Sequence, residues 1–131
     1  MDLFSGLTNT SNEIGQRAED AALDFLLAKG MRLVERNYRC KSGEIDLVMK
    51  HDGVLVFVEV RYRKQNQFGD GAESVDYRKQ KKIINTAEYY LQQHRHHSLS
   101  PCRIDVIAIS STGKTSSSPP AIDWIPNAIQ A

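Results

Sequence analysis

The sequence predicts an α/β fold, a mixed β-sheet flanked by helices with its elements in the order αβββαβ and a short closing strand at the end. Three observations carry this. Apolar residues recur at helical spacing in two stretches, near Ile14–Leu26 and Ile83–Leu91. Between them, two apolar runs separated by Asp52-Gly53 read as a β-hairpin. The interleaving of strands with helices then implies a sheet covered by helices. A chain of 131 residues, 40% hydrophobic and 25% charged, suits one soluble domain spanning 1–131.

The first element is a helix. Thr10-Ser11-Asn12-Glu13 has the capping-box pattern, Ile14, Ala18, Ala21, Ala22, Phe25 and Leu26 share a face, and Gly30 is a C-terminal stop. Met31–Tyr38 mixes apolar and basic residues and reads as an edge-like strand. Gly43–Met49 and Val54–Tyr62 form the hairpin. Val54–Val60 is apolar on both faces, as a central strand should be. Lys64–Val75 is a polar loop, and Asp76–Gln93 is the second helix. Arg103–Ile109 is a buried strand, and 110–120 is a loop rich in Ser, Thr, Gly and Pro. Within the tail 121–131, Ile122–Ile125 is a short closing strand with Trp124 as a packing anchor.

The longest uninterrupted apolar run, Val54–Val58, is far too short to span a bilayer. Met1–Thr10 lacks the basic and apolar regions of a secretory signal. Cys40 and Cys102 form no Cys-x-x-Cys pair. A cytoplasmic location with free thiols, and no membrane partner, is the expectation. The formal net charge of +1 hides segregation. Residues 29–41 carry Lys29, Arg32, Arg36, Arg39 and Lys41 against Glu35. Residues 61–82 carry Arg61, Arg63, Lys64, Arg78, Lys79, Lys81 and Lys82 against Asp70, Glu73 and Asp76. Acidic blocks precede each. Basic blocks around an acidic hairpin suit a nucleic-acid surface; a solvated charged face is the plainer alternative.

Chemistry concentrates in Glu44-x-Asp46 and Glu59-x-Arg61. Side chains two apart in a strand share a face, and the hairpin lays these pairs side by side. Carboxylates gathered on a central strand are costly to bury unless paired or bound to an ion. Mg²⁺ or Mn²⁺ would relieve them, since hard cations take oxygen ligands; a cross-strand salt bridge from Glu44 or Asp46 to Arg61 would also do so. Glu19 falls in the apolar sector of the first helix, beside Leu23 and Leu26, where it is either a ligand or a boundary residue that reaches solvent. Gln80 falls on the inward face of the second helix, either supporting a site or bonded to backbone. His94, His96 and His97 read as a polar helix terminus rather than a zinc site.

Gly15-x-x-x-Glu19-x-x-Ala22, Asn37-Tyr38-Arg39, Gly43–Val48, Phe57–Arg61 with Arg63, Phe68-Gly69, Lys79-Gln80-x-Lys82 and Ile104-Asp105-Val106 together resemble the bacterial YraN-type family. Those proteins have a restriction-endonuclease-like fold akin to archaeal Holliday-junction resolvases. The resemblance implies a metal-dependent nuclease that acts on DNA, branched or single-stranded. Asp46 and Glu59 would be metal ligands, the Val60 carbonyl a third oxygen, Glu19 the helical acid and Gln80 a supporting polar residue. Arg36, Arg39, Lys41, Arg63, Lys79 and Lys82 would line the nucleic-acid side. The family's usual lysine is Arg61 here. Arginine stays protonated and cannot serve as a base, but can offset charge on the reacting phosphate; Lys79 or Lys82 reaching in from the second helix is the alternative. A catalytically weak nucleic-acid-binding module and a dimeric interaction domain are the competing readings. A homodimer would match the symmetry of a branched substrate.

Overall fold

In the computed structural model the described residues are 11–63, 76–97, 99–110 and 120–130. Thr10 of the expected capping box, the loop 64–75 with Phe68-Gly69, and residues 111–119 of the loop 110–120 lie outside them.

Helix α1 (Ser11–Ala28) ends where the sequence places its stop. The N–H of Met31 donates to the Leu26 carbonyl at 3.2 Å and that of Gly30 to the Leu27 carbonyl at 3.0 Å. These are the paired bonds of a Schellman ending, and Met31 and Leu26 add its apolar contact within one buried cluster. Strand β1 (Arg32–Cys40) follows. It runs past the expected end at Tyr38 because Arg39 and Cys40 still pair with Glu44 and Gly43 of strand β2 (Gly43–His51). Asp52 (φ 51) and Gly53 (φ 81) then make the turn with two positive φ values that joins β2 to strand β3 (Val54–Arg63).

Helix α2 (Tyr77–Gln93) and a single 3-10 turn, Arg95–His97, connect β3 to a parallel neighbour, strand β4 (Cys102–Ser110). Asp76 caps α2 by accepting the Lys79 N–H at 2.8 Å. His94 closes its other end, with its ring stacked 4.0 Å from that of Tyr90. The last strand, β5 (Ala121–Ile129), pairs antiparallel with β4. It is longer than the expected Ile122–Ile125. Pro126 masks it in the sequence, but a proline is tolerated on an edge strand at a bulge. The register shifts between Ile104 and Val106, and Asn127 takes φ 53 there.

The sheet order is β1-β2-β3-β4-β5, so β1 is an edge strand as expected and β3 is central. Alternate residues of the inner strands feed two cores. On one side Leu55, Phe57, Ile104 and Val106 pack with Ile83, Ala87 and Tyr90 of α2. On the other, Val56, Val58, Ile107 and Ile109 pack with Ala18, Ala22 and Leu26 of α1. Leu55 to Val58 are all essentially inaccessible, which is why that run carries no polar residue. Among the described residues no helix is long and apolar enough to cross a membrane.

Candidate metal centre

The β2–β3 ladder runs from His51–Val54 to Leu47–Val58, and there the strands part. The Val60 N–H, further along β3, donates to the Asp46 side chain, to Oδ2 at 2.8 Å. Strict alternation along β2 also fails here, because Ile45 packs on the α2 side and Leu47 on the α1 side. Asp46 thus sits in the fork between two strands, open toward both faces of the sheet. Gly43 opens β2 at φ +150, and a Cβ there would stand 3.2 Å from Thr86 Oγ1, so glycine lets α2 approach this end of the strand.

Two cavities of about 440 Å³ each meet at this fork. Glu44 and Asp46 line both. On the α1 side they are joined by Glu19, Asn37 and Arg39. One carboxylate oxygen each from Glu19, Glu44 and Asp46 lies within 4.8 Å of the others, the one such cluster of potential ligands among the described residues. Asn37 holds two of them: with its amide nitrogen turned inward, that atom donates to Glu19 Oε1 at 3.0 Å and Glu44 Oε1 at 3.1 Å. Its backbone takes φ 54 in the middle of β1, a left-handed conformation that asparagine tolerates better than most residues. Arg36 pairs with Asp20, outside the cluster, with Nη2 at 2.8 Å, and stands 3.7 Å from Glu19.

On the α2 side Glu59, only 5% exposed, accepts from Lys79 Nζ at 3.0 Å. Arg78, Lys79 and Lys82 line this cavity with Asp46 and Glu59. Burial pushes the Asp46 carboxyl up to about 8, reinforced by the charge of Glu59 and only partly offset by the Val60 N–H. Burial also raises Glu59, against the pull of Lys79 and, more weakly, Arg61. Glu19 is raised by burial and by Glu44, against the pull of Arg36. Burial thus disfavours the charged form at Asp46, Glu59 and Glu19 alike. An all-oxygen donor set of this kind fits a hard divalent cation.

Residues 18–109 match the Uncharacterised protein family UPF0102. The chain is 46% identical over 121 residues to a UPF0102 protein of Stutzerimonas stutzeri, covering 92% of this chain and 98% of that one. It is 47% identical over 117 residues to a UPF0102 protein of Janthinobacterium, covering 89% and 87%. A UPF0102 protein of Methylococcus capsulatus is 44% identical over 117 residues, covering 89% and 90%.

The chain belongs to the UPF0102 family.

That agrees with the YraN-type resemblance. The span matched to UPF0102 contains every acid of the fork, and β5 lies beyond it. Within it, the residues expected to act together divide into two groups. Asp46 and Glu19 lie in one carboxylate cluster with Glu44, Glu59 lines the α2-side cavity with Asp46, and of Val60 it is the N–H, where the carbonyl was expected, that meets Asp46. Arg61 follows Glu59 along β3 and acts on it electrostatically. Gln80, by contrast, lines a separate cavity with Tyr77, Ile84, Asn85 and Gln130, and it is Lys79, one residue earlier on α2, that reaches Glu59. Of the basic residues, Arg39 is exposed and pairs with Glu44 at 3.2 Å, Lys41 is exposed on the β1–β2 turn, Lys82 rims the α2-side cavity, and Arg63 is half-buried at the end of β3. Arg36 is engaged by acids of α1. Two further site residues lie outside the expected ligand set, Asn37 and Glu44. The Glu44-x-Asp46 spacing was the signal for the second; nothing in the sequence marks a positive φ at Asn37.

Proposed function

We propose that this protein is a metal-dependent nuclease with a restriction-endonuclease-like core, hydrolysing phosphodiester bonds in DNA, branched or single-stranded. The observation that supports this most is the cluster of Glu19, Glu44 and Asp46 at a fork in the sheet, with Glu59 lining the α2-side cavity beside Asp46 and Arg39, Arg78, Lys79 and Lys82 on the rims of the two cavities. Asp46 and Glu59, with Glu19 and Glu44, would hold Mg²⁺ or Mn²⁺. Bound there, the ion would supply Lewis-acid polarisation of the phosphate and a water of lowered pKa. Water adds across one P–O ester bond, leaving a phosphate monoester and an alcohol. The chain's own part is to orient and to balance charge. The Val60 N–H fixes the Asp46 carboxylate, and Asn37 holds Glu19 and Glu44 together. Arg61 stays charged beside Glu59 and offsets negative charge on the phosphate without serving as a base. The surrounding lysines and arginines track the backbone of the nucleic acid.

Incubating the protein with single-stranded, duplex and four-way-junction DNA in Mn²⁺ or Mg²⁺ tests this. Cleavage of at least one substrate, abolished in Asp46→Ala, is expected; no Asp46-dependent cleavage of any of them overturns it. Arg61 in place of a lysine supports a second reading, a nucleic-acid-binding module of the same fold without turnover. That reading expects salt-sensitive DNA binding that survives Asp46→Ala.

A further inference from the structure

We propose that Lys79 is an internal cation that competes with a divalent ion for Glu59. It neutralises Glu59 in the ion-free protein, releases it when the ion binds, and then presents its ammonium to the substrate phosphate. This rests on the metal-site reading above.

The geometry suits such an exchange. Glu59 is almost fully buried, and an unpaired carboxylate there would be costly. Lys79 Nζ is in hydrogen-bonding contact with it, at 3.0 Å, and has a larger influence on it than Arg61. The Lys79 side chain is nevertheless 43% exposed. Its backbone is fixed, because its N–H donates to Asp76 Oδ1 in the first turn of α2. The root of the side chain is thus held while its flexible four-carbon stem can swing within a cavity shared with Asp46 and Glu59. An ion taken by those two acids must share Glu59 with the ammonium, and like charges that close repel strongly at low dielectric. The place open to a displaced ammonium is the rim, beside Arg78 and Lys82. A phosphate approaching the acids from the α2 side would meet it there.

The test is a Mn²⁺ titration of wild type, Lys79→Met, Lys79→Arg and Lys82→Met by calorimetry, paired with cleavage of single-stranded, duplex and four-way-junction DNA at saturating Mn²⁺. Methionine keeps the stem and the backbone cap but leaves the buried Glu59 without its cation, so each variant is titrated below the melting temperature measured for it. Lys79→Met is expected to bind Mn²⁺ about 5-fold or more tightly than wild type, on the scale of a removed neighbouring charge, and yet to cleave about 10-fold more slowly. Lys82→Met, which removes a charge from the same cavity but not from Glu59, should gain less affinity. Lys79→Arg, able to grip the carboxylate with two N–H groups, should bind the ion no better than wild type. Unchanged or weaker Mn²⁺ binding by Lys79→Met, or a gain no larger than that of Lys82→Met, overturns the competition while leaving the metal site standing. Tighter binding with undiminished cleavage overturns the role toward phosphate. Should wild type cleave no DNA, the nuclease reading falls and the titration still decides the competition. No Mn²⁺ binding by any of the four proteins overturns both.

Discussion

The Val60 N–H donates to Asp46 Oδ2 at 2.8 Å, at the point where the β2–β3 ladder stops. One carboxylate oxygen thus substitutes for a missing backbone partner, and the Asp46 carboxyl is held up at about 8 by burial and by Glu59. A carboxyl raised in the folded state is protonated there while the unfolded chain, near 3.8, has already lost its proton. Between about pH 4 and 8 the folded state binds the extra proton, so stability falls as pH rises through that window. Asp46→Asn keeps an acceptor for Val60 and removes the titration. It should melt at least ~3 °C higher than wild type at pH 8, with the difference gone by pH 4, and should lose any Mn²⁺-induced rise in Tm. Melting curves over that pH range, with and without Mn²⁺, check this. A variant less stable than wild type at pH 8 contradicts it.

Asn37 combines a left-handed backbone with an amide shared by Glu19 and Glu44. Asn37→Ala loses both the tolerance and the clamp, and should cost about 1–2 kcal/mol of stability, from the lost hydrogen bonds together with the higher cost of alanine than of asparagine at positive φ. Asn37→Gly removes the clamp but relaxes the backbone. The glycine variant should recover part of the lost stability while Mn²⁺ affinity stays about 10-fold weaker than wild type in both, roughly 1.4 kcal/mol. Wild-type Mn²⁺ affinity in either variant shows that the amide does not organise the acids.

The elements were legible because their signals are local. The helical stripes, the Asp52-Gly53 turn and the uninterrupted apolar run of β3 each fix one element without reference to the rest. The convergence of Asp46 with Glu59 followed from hairpin geometry, and the inward place of Glu19 from helical spacing. What was illegible depends on departures from regular geometry. The loss of alternation at Asp46 opens it to both faces, the bulge at Asp105 carries β5 past Pro126, and which of the helix-borne candidates Lys79, Gln80 and Lys82 meets Glu59 turns on how the helix is rotated against the sheet. A period of 3.6 residues places neighbouring positions about 100° apart, too coarse to decide that rotation.

Gly43 sets how closely α2 approaches the fork. A Cβ at this residue would meet Thr86 Oγ1 at 3.2 Å, and that hydroxyl is held by its bond to the Lys82 carbonyl at 2.7 Å. Thr86 cannot swing away without losing a buried hydrogen bond. Gly43→Ala, strained also by φ +150, should destabilise the protein by about 1–3 kcal/mol and push α2, with Lys79, away from Glu59. Combining it with Thr86→Ala should restore part of the stability, as urea denaturation would show. Equal losses in the single and double variants would mean that φ alone matters.

Asp105 is fully buried and receives three donors: Arg103 Nε at 3.0 Å, Trp124 Nε1 at 3.0 Å and the Asn127 N–H at 2.8 Å. The last two come from β5, and the register of β4 with β5 shifts at this residue. The carboxylate therefore fills the bulge that Pro126 and Asn127 create and ties the edge strand to the sheet. Asp105→Ala strands these donors, including one cation, and should cost about 3–5 kcal/mol. Asp105→Asn keeps one acceptor and should cost less, though its amide nitrogen must then face one of the donors. Both variants should lower the urea midpoint and expose Trp124, read as a red shift of its fluorescence. Mn²⁺ affinity of the folded protein should not change, since Asp105 lines neither cavity at the fork. A weakened metal affinity in Asp105→Asn would mean that the β4–β5 edge and the fork are mechanically linked through β3.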